Sequence, residues 1–326
     1  MKKRSLGKEF TISEVGLGCW QFGGDFGPMD EQFALDILAA SADSSVDFWD
    51  TADVYGSGKS ERLIGEFRKS NNDHSAVVAT KFGRDGSVFP DNYSYDALMH
   101  AIDLACDRIG TESIDLLQLH CLPEAVLRNG EIFNWLRKAK AAGRIRAFGA
   151  SVETVAEGLL CLEQEGITSL QVIFNIFRQK PLFELLPEAE KKNVGIIVRL
   201  PLASGLLAGK YTSETTFAET DHRNYNRDGE HFNVGETFAG LPFSTGVLLA
   251  DEVKKHVPAG MTMAQMSLRW LLDHSAVSTI IPGASSVKQA RENAAVSQLP
   301  SLPDTVHQAL KEIYIQQVEQ HIRGPY

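Results

Sequence analysis

Phe48-Trp49-Asp50-Thr51-Ala52-Asp53-Val54-Tyr55-Gly56 runs an apolar, strand-like segment into a carboxylate and places a phenol on the residues that follow. Two segments further on have the same form. Val77-Val78-Ala79-Thr80 closes on Lys81, and Leu116-Leu117-Gln118-Leu119 closes on His120. An acid, an ammonium and an imidazole at three successive strand ends act together only if those strands lie side by side.

The rest of the chain repeats the pattern. Strands are expected at Val15–Trp20, Val46–Asp50, Ala76–Lys81, Ile114–His120, Ile145–Ser151, Leu170–Asn175, Gly195–Leu200 and Thr279–Pro282. Several are continuous apolar runs, as parallel strands buried on both faces require. Helical spacing fills the intervals: Gln32–Ser44, Ser60–Lys69, Tyr95–Ile109, Ile132–Ala142, Glu153–Glu163, Leu182–Lys192, Thr262–Asp273 and Val287–Val296. Gly143 is placed to end one helix, and Ser286 to cap another. Such alternation, with right-handed crossovers, predicts an α/β fold of the (β/α)8 TIM-barrel type as a single domain over 1–326. Two doubly wound domains are the competing arrangement, disfavoured because no linker is visible. Residues 1–14 are expected as an N-terminal β-hairpin capping the barrel bottom, and Asp304–Gln320 as a terminal helix. The long polar loop Lys210–Ser244 follows strand seven and so lies over the face that carries active sites.

Composition narrows the function. A net charge of -10 over 326 residues argues against a nucleic-acid surface. Four dispersed cysteines without a C-x-x-C pair point to neither a zinc site nor a disulfide framework, and no metal site is read. The basic start Met1-Lys2-Lys3-Arg4 has no apolar run after it, and nothing approaches the roughly 18 apolar residues of a membrane span. The expectation is a cytoplasmic protein with a small-molecule substrate, no nucleic-acid or membrane partner, and an oligomeric state left open.

Two glycine-rich stretches are decoys. Gly56-Ser57-Gly58-Lys59-Ser60 resembles a phosphate loop, but the first glycine of that motif would fall at Asp53. Gly16-Leu17-Gly18 has Gln21 where a dinucleotide fingerprint needs its third glycine, so a Rossmann site is unsupported.

In a barrel, Asp50, Lys81 and His120 end strands two, three and four, with Tyr55 on the loop above. Neighbouring strands are about 4.8 Å apart, so these side chains can converge. Singly, each has an ordinary explanation as a cap, a solvated strand end or a core histidine; together they form a catalytic group. A phenol with a pKa near 10 is a poor acid at pH 7. A Lys81 ammonium beside Tyr55 is expected to lower it, and Asp50 to keep Lys81 charged. His120 can orient a substrate carbonyl toward the Tyr55 hydroxyl. None of these side chains supplies hydride, so a nicotinamide or flavin must.

These residues resemble the aldo-keto reductase superfamily. The resemblance runs through Gly16-Leu17-Gly18-Cys19-Trp20, Asp50…Tyr55-Gly56, Thr80-Lys81, Leu117-Gln118-Leu119-His120, Gly149-Ala150-Ser151, Gln171–Asn175, Pro201–Lys210 and Ile281-Pro282-Gly283-Ala284 with Glu292-Asn293. It covers essentially the whole chain. It implies a barrel oxidoreductase using NADP(H), with NAD(H) not excluded, on a carbonyl substrate. By position, Tyr55 is the general acid, Lys81 and Asp50 its tuning pair, and His120 the orienting residue. Ser151 and Gln171 are expected at the nicotinamide carboxamide, with Arg199 where many relatives stack an aromatic on the ring. Pro201, Leu202, Ser204, Gly205 and Lys210 are expected along the pyrophosphate, and Cys19, Trp20 and Asp50 near the cofactor. Trp20, Tyr55 and His120 would face the substrate.

Some positions depart from the pattern. Val152 stands where Asn or Arg often follows the serine, and Phe174 replaces a common tyrosine. At the adenosine end Gly283, Ser285, Gln289, Glu292 and Asn293 resemble the branch containing the potassium-channel β subunits more than the aldose-reductase branch. Lys288, Arg223 or Arg227 could supply positive charge there. The long loop is read as either a lid or a solvated excursion. Three activities share this site: a carbonyl reductase, a sugar or aldose dehydrogenase, and a cofactor-sensing binding subunit with vestigial turnover.

Overall fold

The computed structural model describes every residue of the chain except His74. The chain starts as an antiparallel hairpin, β1 (Lys3–Leu6) with β2 (Phe10–Ser13). The parallel strands are β3 (Leu17–Gly18), β4 (Phe48–Asp50), β5 (Val77–Phe82), β6 (Ile114–His120), β7 (Ile145–Ser151), β8 (Ser169–Ile173), β9 (Gly195–Arg199) and β10 (Val277–Ile280). They neighbour one another in chain order. Parallel bridges from Val15 to Ile280 and from Gly18 to Gly283 join the first strand region to the last. The Gly16 N–H donates to Ile280 O at 2.8 Å across that seam. The result is the expected (β/α)8 barrel.

Side-chain alternation along these strands explains both core and site. Phe48, Ala79, Leu116, Ala147, Ile197 and Ile281 point inward and pack on Leu6, Phe10 and Ile12 of the hairpin, which plugs the barrel bottom. Their neighbours Trp49, Val78, Leu117, Phe148, Ile196 and Val198 belong to the larger core shared with the surrounding helices. Two residues beyond the inward apolar layer, the same face carries Asp50, Lys81, Gln118 and Arg199, and a further step along β6 brings His120. Apolar burial at the bottom thus sets the register of the polar layer above it.

Several boundaries differ from the sequence expectation. The expected first strand, Val15–Trp20, stops early because Trp20–Gly23 winds into a 3-10 turn closed by Gly24 at φ 104°. That turn lets the Trp20 indole donate to Asp25 Oδ2 at 2.9 Å. Thr154 caps the helix Val155–Leu162 through a reciprocal pair with Glu157. Ser286 does accept from Gln289 N–H at 3.2 Å. A helix absent from the sequence reading, Phe243–Lys254, follows the long loop; its start has Pro242 and no side-chain cap, and Gly246 interrupts its pattern. The loop itself contains the short helix His222–Tyr225 and 3-10 turns at Val234–Glu236 and Phe238–Gly240.

Candidate active site

The four titratable residues meet at the C-terminal mouth of the barrel. The Lys81 ammonium donates to Asp50 Oδ2 at 2.7 Å, to Thr51 O at 2.8 Å and to the Tyr55 hydroxyl at 3.0 Å. Lys81 and Asp50 are both buried. The His120 ring stands perpendicular to the Tyr55 ring with centroids 6.0 Å apart, and Trp20 stacks with Tyr55, also at 6.0 Å. Tyr55 reaches this position through a tight turn. Gly56 adopts φ +60°, and a Cβ there would lie 2.8 Å from Gly23 O. The decoy stretch Gly56–Ser60 is therefore a close-packed turn leading into the helix Lys59–Asn71.

The electrostatics correct one expectation. Burial dominates at Tyr55 and outweighs the downward pull of Lys81, so the phenol is pushed up to about 12 rather than lowered. It stays protonated through the neutral range and can donate. Burial alone would pull Lys81 down, but Asp50 and Tyr55 outweigh it and hold the ammonium above the ordinary lysine value. His120 moves the other way: burial, then the Lys81, Arg84 and Arg199 charges, push it well below the usual imidazole value. A neutral His120 suits orientation by hydrogen bonding rather than proton supply.

Above the tetrad is a cavity of about 700 Å³ lined by Trp20, Asp50, Tyr55, His120, Ser151, Gln171, Arg199, Pro201 and Gly283, among others. Its volume suits a small-molecule site. Gln171 Nε2 donates to Asp50 Oδ1 at 2.6 Å. Because a carboxylate only accepts, this fixes the amide orientation and leaves Gln171 Oε1 buried without a partner. An unpaired buried acceptor beside Ser151 fits an amide N–H donor, as a nicotinamide carboxamide provides. His120 Nδ1 and Arg199 Nε are also buried and unpartnered.

Other expected cofactor residues lie apart from this cavity. The Cys19 side chain is in the barrel wall, its thiol on Leu17 O at 3.7 Å, so it does not face the site. Leu202 and Lys210 are not on the cavity wall, and Lys210 is exposed. Ser204 Oγ accepts from Phe238 N–H at 3.1 Å and donates to Glu236 O at 3.2 Å. Gly205, at φ +98°, is covered by the Tyr211 hydroxyl. Arg223 is held by Asp221 through two contacts and donates to Tyr211 OH at 2.7 Å, so its charge is already answered. Gln289 Oε1 accepts from Ser285 N–H at 2.7 Å, and Asn293 Nδ2 donates to Gly283 O at 3.2 Å. Glu292 is exposed beside Lys288 at 3.7 Å.

The long loop is part of the wall. Tyr225, His231, Phe232 and Glu236 line the cavity. Asp25 ties the loop down, accepting from Tyr225 OH at 2.7 Å and, through its backbone O, from His222 N–H at 2.8 Å. This structure favours the covering role over a solvated excursion. Gln118 was missed by the sequence reading. Gln118 donates to Asp50 Oδ1 at 3.0 Å, and its place two residues before His120 in an apolar strand was the available signal. Arg84 and Phe89 line the cavity, and Cys121 contacts Arg199 at 3.5 Å. Cys121, Glu153 and Glu236 bring ligand-type atoms within 4.8 Å of one another. Arg84 and Arg199 pair with these two carboxylates, and a metal ion would have to displace them.

Barrel and site together define an oxidoreductase built to protonate a carbonyl oxygen. Residues 14–315 match the Aldo/keto reductase family. The chain belongs to that family. The uncharacterized oxidoreductase YqkF of Bacillus subtilis (strain 168) is 28% identical over 320 residues, covering 95% of this chain and 96% of that protein. The aldo-keto reductase yakc [NADP(+)] of Schizosaccharomyces pombe (strain 972 / ATCC 24843) is 28% identical over 300 residues, covering 89% and 85%. The solved glycerol dehydrogenase of Gluconobacter oxydans superposes with a TM-score of 0.80 at 26% identity, covering 99% of this chain and 98% of that one. Among the described residues no helix is long and apolar enough to cross a membrane.

Proposed function

We propose that the protein reversibly reduces an aldehyde or ketone to the alcohol with NADP(H), using Tyr55 as proton donor. The observation that carries this is the Lys81 ammonium bridging Asp50 and the Tyr55 hydroxyl beneath a cavity that His120 also lines. A reduced nicotinamide, when bound, supplies hydride to the carbonyl carbon. Ser151 and Gln171 are suited to its carboxamide, with Arg199 beside them. Pro201, Ser204 and Gly205 follow toward the pyrophosphate, and Gly283, Ser285, Gln289 and Asn293 toward the adenosine end. The relative named for NADP(+) supports that cofactor.

In this reading His120 holds the substrate oxygen near Tyr55. The protonated phenol gives up its proton as charge develops on that oxygen, and Lys81 stabilises the phenolate left behind. Trp20, Phe26, Phe89 and Phe232 exclude water and favour a small carbonyl compound. The four free, buried cysteines support a cytoplasmic setting. The solved glycerol dehydrogenase favours including polyols, oxidised at the same site, in the substrate panel.

The test follows NADPH consumption across a panel of aldehydes for wild type and Tyr55→Phe. Loss of about 100-fold or more in kcat is expected on removing a general acid. A Tyr55→Phe variant that keeps wild-type turnover would remove Tyr55 from the role.

A further inference from the structure

Each cation around the cavity has an acid partner: Lys81 with Asp50 at 2.7 Å, Arg84 with Glu153 at 2.6 Å, and Arg199 with Glu236 at 3.3 Å, while the Asp25 carboxylate on the same wall accepts from the neutral Trp20 indole and Tyr225 hydroxyl. The third pair differs in origin. Its acid comes from the long loop, while Arg199 ends β9. The Glu236 backbone is fixed to the barrel by Ser204, and the same turn continues to Asn233, whose Nδ2 donates to Glu153 Oε2 at 2.8 Å. Arg199 Nη2 donates to Val152 O at 3.3 Å, so the guanidinium cannot simply swing away without losing a partner. Both members of the pair line the cavity, with side chains 11% and 14% exposed.

A nicotinamide ring carries one positive charge when oxidised and none when reduced. With Glu236 present every cation at the cavity has its counter-charge; without it the Arg199 guanidinium on the cavity wall loses its own. We propose that Glu236, as counter-charge to Arg199, sets the relative affinity of the cavity for oxidised and reduced nicotinamide. This rests on the nicotinamide reading given above.

Calorimetric titration with NADP⁺ and with NADPH separates the two ideas. In Glu236→Gln, Kd for NADP⁺ should rise by at least about tenfold relative to Kd for NADPH, since one unit charge within about 12 Å at an effective dielectric of about 20 contributes that much or more. Glu236→Asp should recover part of the ratio. Adding Arg199→Met to Glu236→Gln removes both charges and should return the ratio toward wild type. If Glu236→Gln weakens both forms equally, Glu236 only shapes the loop and the inference falls while the nicotinamide reading stands. If the double variant keeps the altered ratio, the counter-charge argument also falls. Wild-type protein that binds neither form would overturn the nicotinamide reading, and this inference with it.

Discussion

Gln171 on β8 reaches across the barrel to Asp50 on β4, its Nε2 donating to Oδ1 at 2.6 Å. Gln118 donates to the same oxygen at 3.0 Å, and Lys81 takes Oδ2 at 2.7 Å. Both carboxylate oxygens are therefore engaged by buried donors. That geometry supports the reading of Asp50 as the anchor of Lys81 rather than as an acid or base in its own right. The same contacts aim the Gln171 carbonyl away from Asp50.

Asp50→Asn keeps the shape and removes the charge. It leaves the Lys81 ammonium buried without its counter-ion, and breaking a buried pair in this way costs about 3–5 kcal/mol. Urea denaturation at pH 7 should show a loss of that size, while Tyr55→Phe, which strips only a hydroxyl, should cost far less. An Asp50→Asn variant within 1 kcal/mol of wild type, a margin of about fivefold in the unfolding equilibrium, would mean Lys81 does not depend on Asp50.

The tetrad was legible because Asp50, Lys81 and His120 sit on regular strands and Tyr55 follows one of them by five residues. Strand alternation and about 4.8 Å between neighbours are enough to bring Asp50, Lys81 and His120 together once a barrel is inferred. The same rule contained Gln118, two residues before His120, and it was overlooked because an amide in an apolar strand carries no titration signal. Glu236 had no local signal at all. It reaches Arg199 only through the turns of a long loop, and those turns are set by contacts with Asp25, Ser204 and the chain end rather than by periodicity. The Tyr55 shift was misread for a related reason: a neighbouring charge is visible in sequence, whereas the depth of burial that outweighs it is not. The helix Phe243–Lys254 escaped because its start lacks a polar cap.

Buried neutral histidines predict acid sensitivity. His274 is pushed down to about 4, mainly by burial, and His120 and His222 are also lowered by burial. In the unfolded chain histidine titrates near 6.5, so as pH falls below that value the unfolded state gains protons that the folded state refuses. Stability should fall from about pH 6.5 downward, by up to about 1.4 kcal/mol per pH unit for each such histidine. Urea midpoints at pH 7, 6 and 5 would show the slope, and His274→Leu should flatten it. An unchanged slope in that variant would assign the acid sensitivity elsewhere.

Asp53 predicts the opposite trend. Burial, and then the charge of Glu61, push its carboxyl up to about 7. The unfolded carboxyl ionises near 3.9, so this group costs stability increasingly as pH rises from about 4 to about 7. Asn can keep the Oδ1 contact with Val54 N–H, which measures 2.8 Å. Asp53→Asn should therefore stabilise by up to about 4 kcal/mol at pH 8 and by little at pH 4. Equal effects at the two pH values would show that the carboxyl is ionised normally.

The chain end braces the loop that carries Glu236. Arg323 donates through Nε to Gly240 O at 2.9 Å and through Nη2 to Leu241 O and Arg227 O, both at 3.2 Å, and it pairs with Asp228. Buried Arg178 donates to Pro325 O at 3.1 Å and lies over the Tyr326 ring, while a Cβ at Gly235 would collide with its guanidinium. Hydrogen bonds from a charged donor contribute about 1.5–3 kcal/mol each, and Arg323→Ala removes several. The loop should open more often in that variant, so limited proteolysis between Arg227 and Phe232 should be faster by about tenfold or more, the equivalent of 1.4 kcal/mol. Global stability should change less, because Arg323 touches the loop and not the barrel core. Cofactor Kd should weaken while kcat is largely kept, since Arg323 bonds to Gly240, Leu241, Arg227 and Asp228 and to none of the tetrad. Proteolysis at the wild-type rate would show that the loop is held by Asp25 and Ser204 alone.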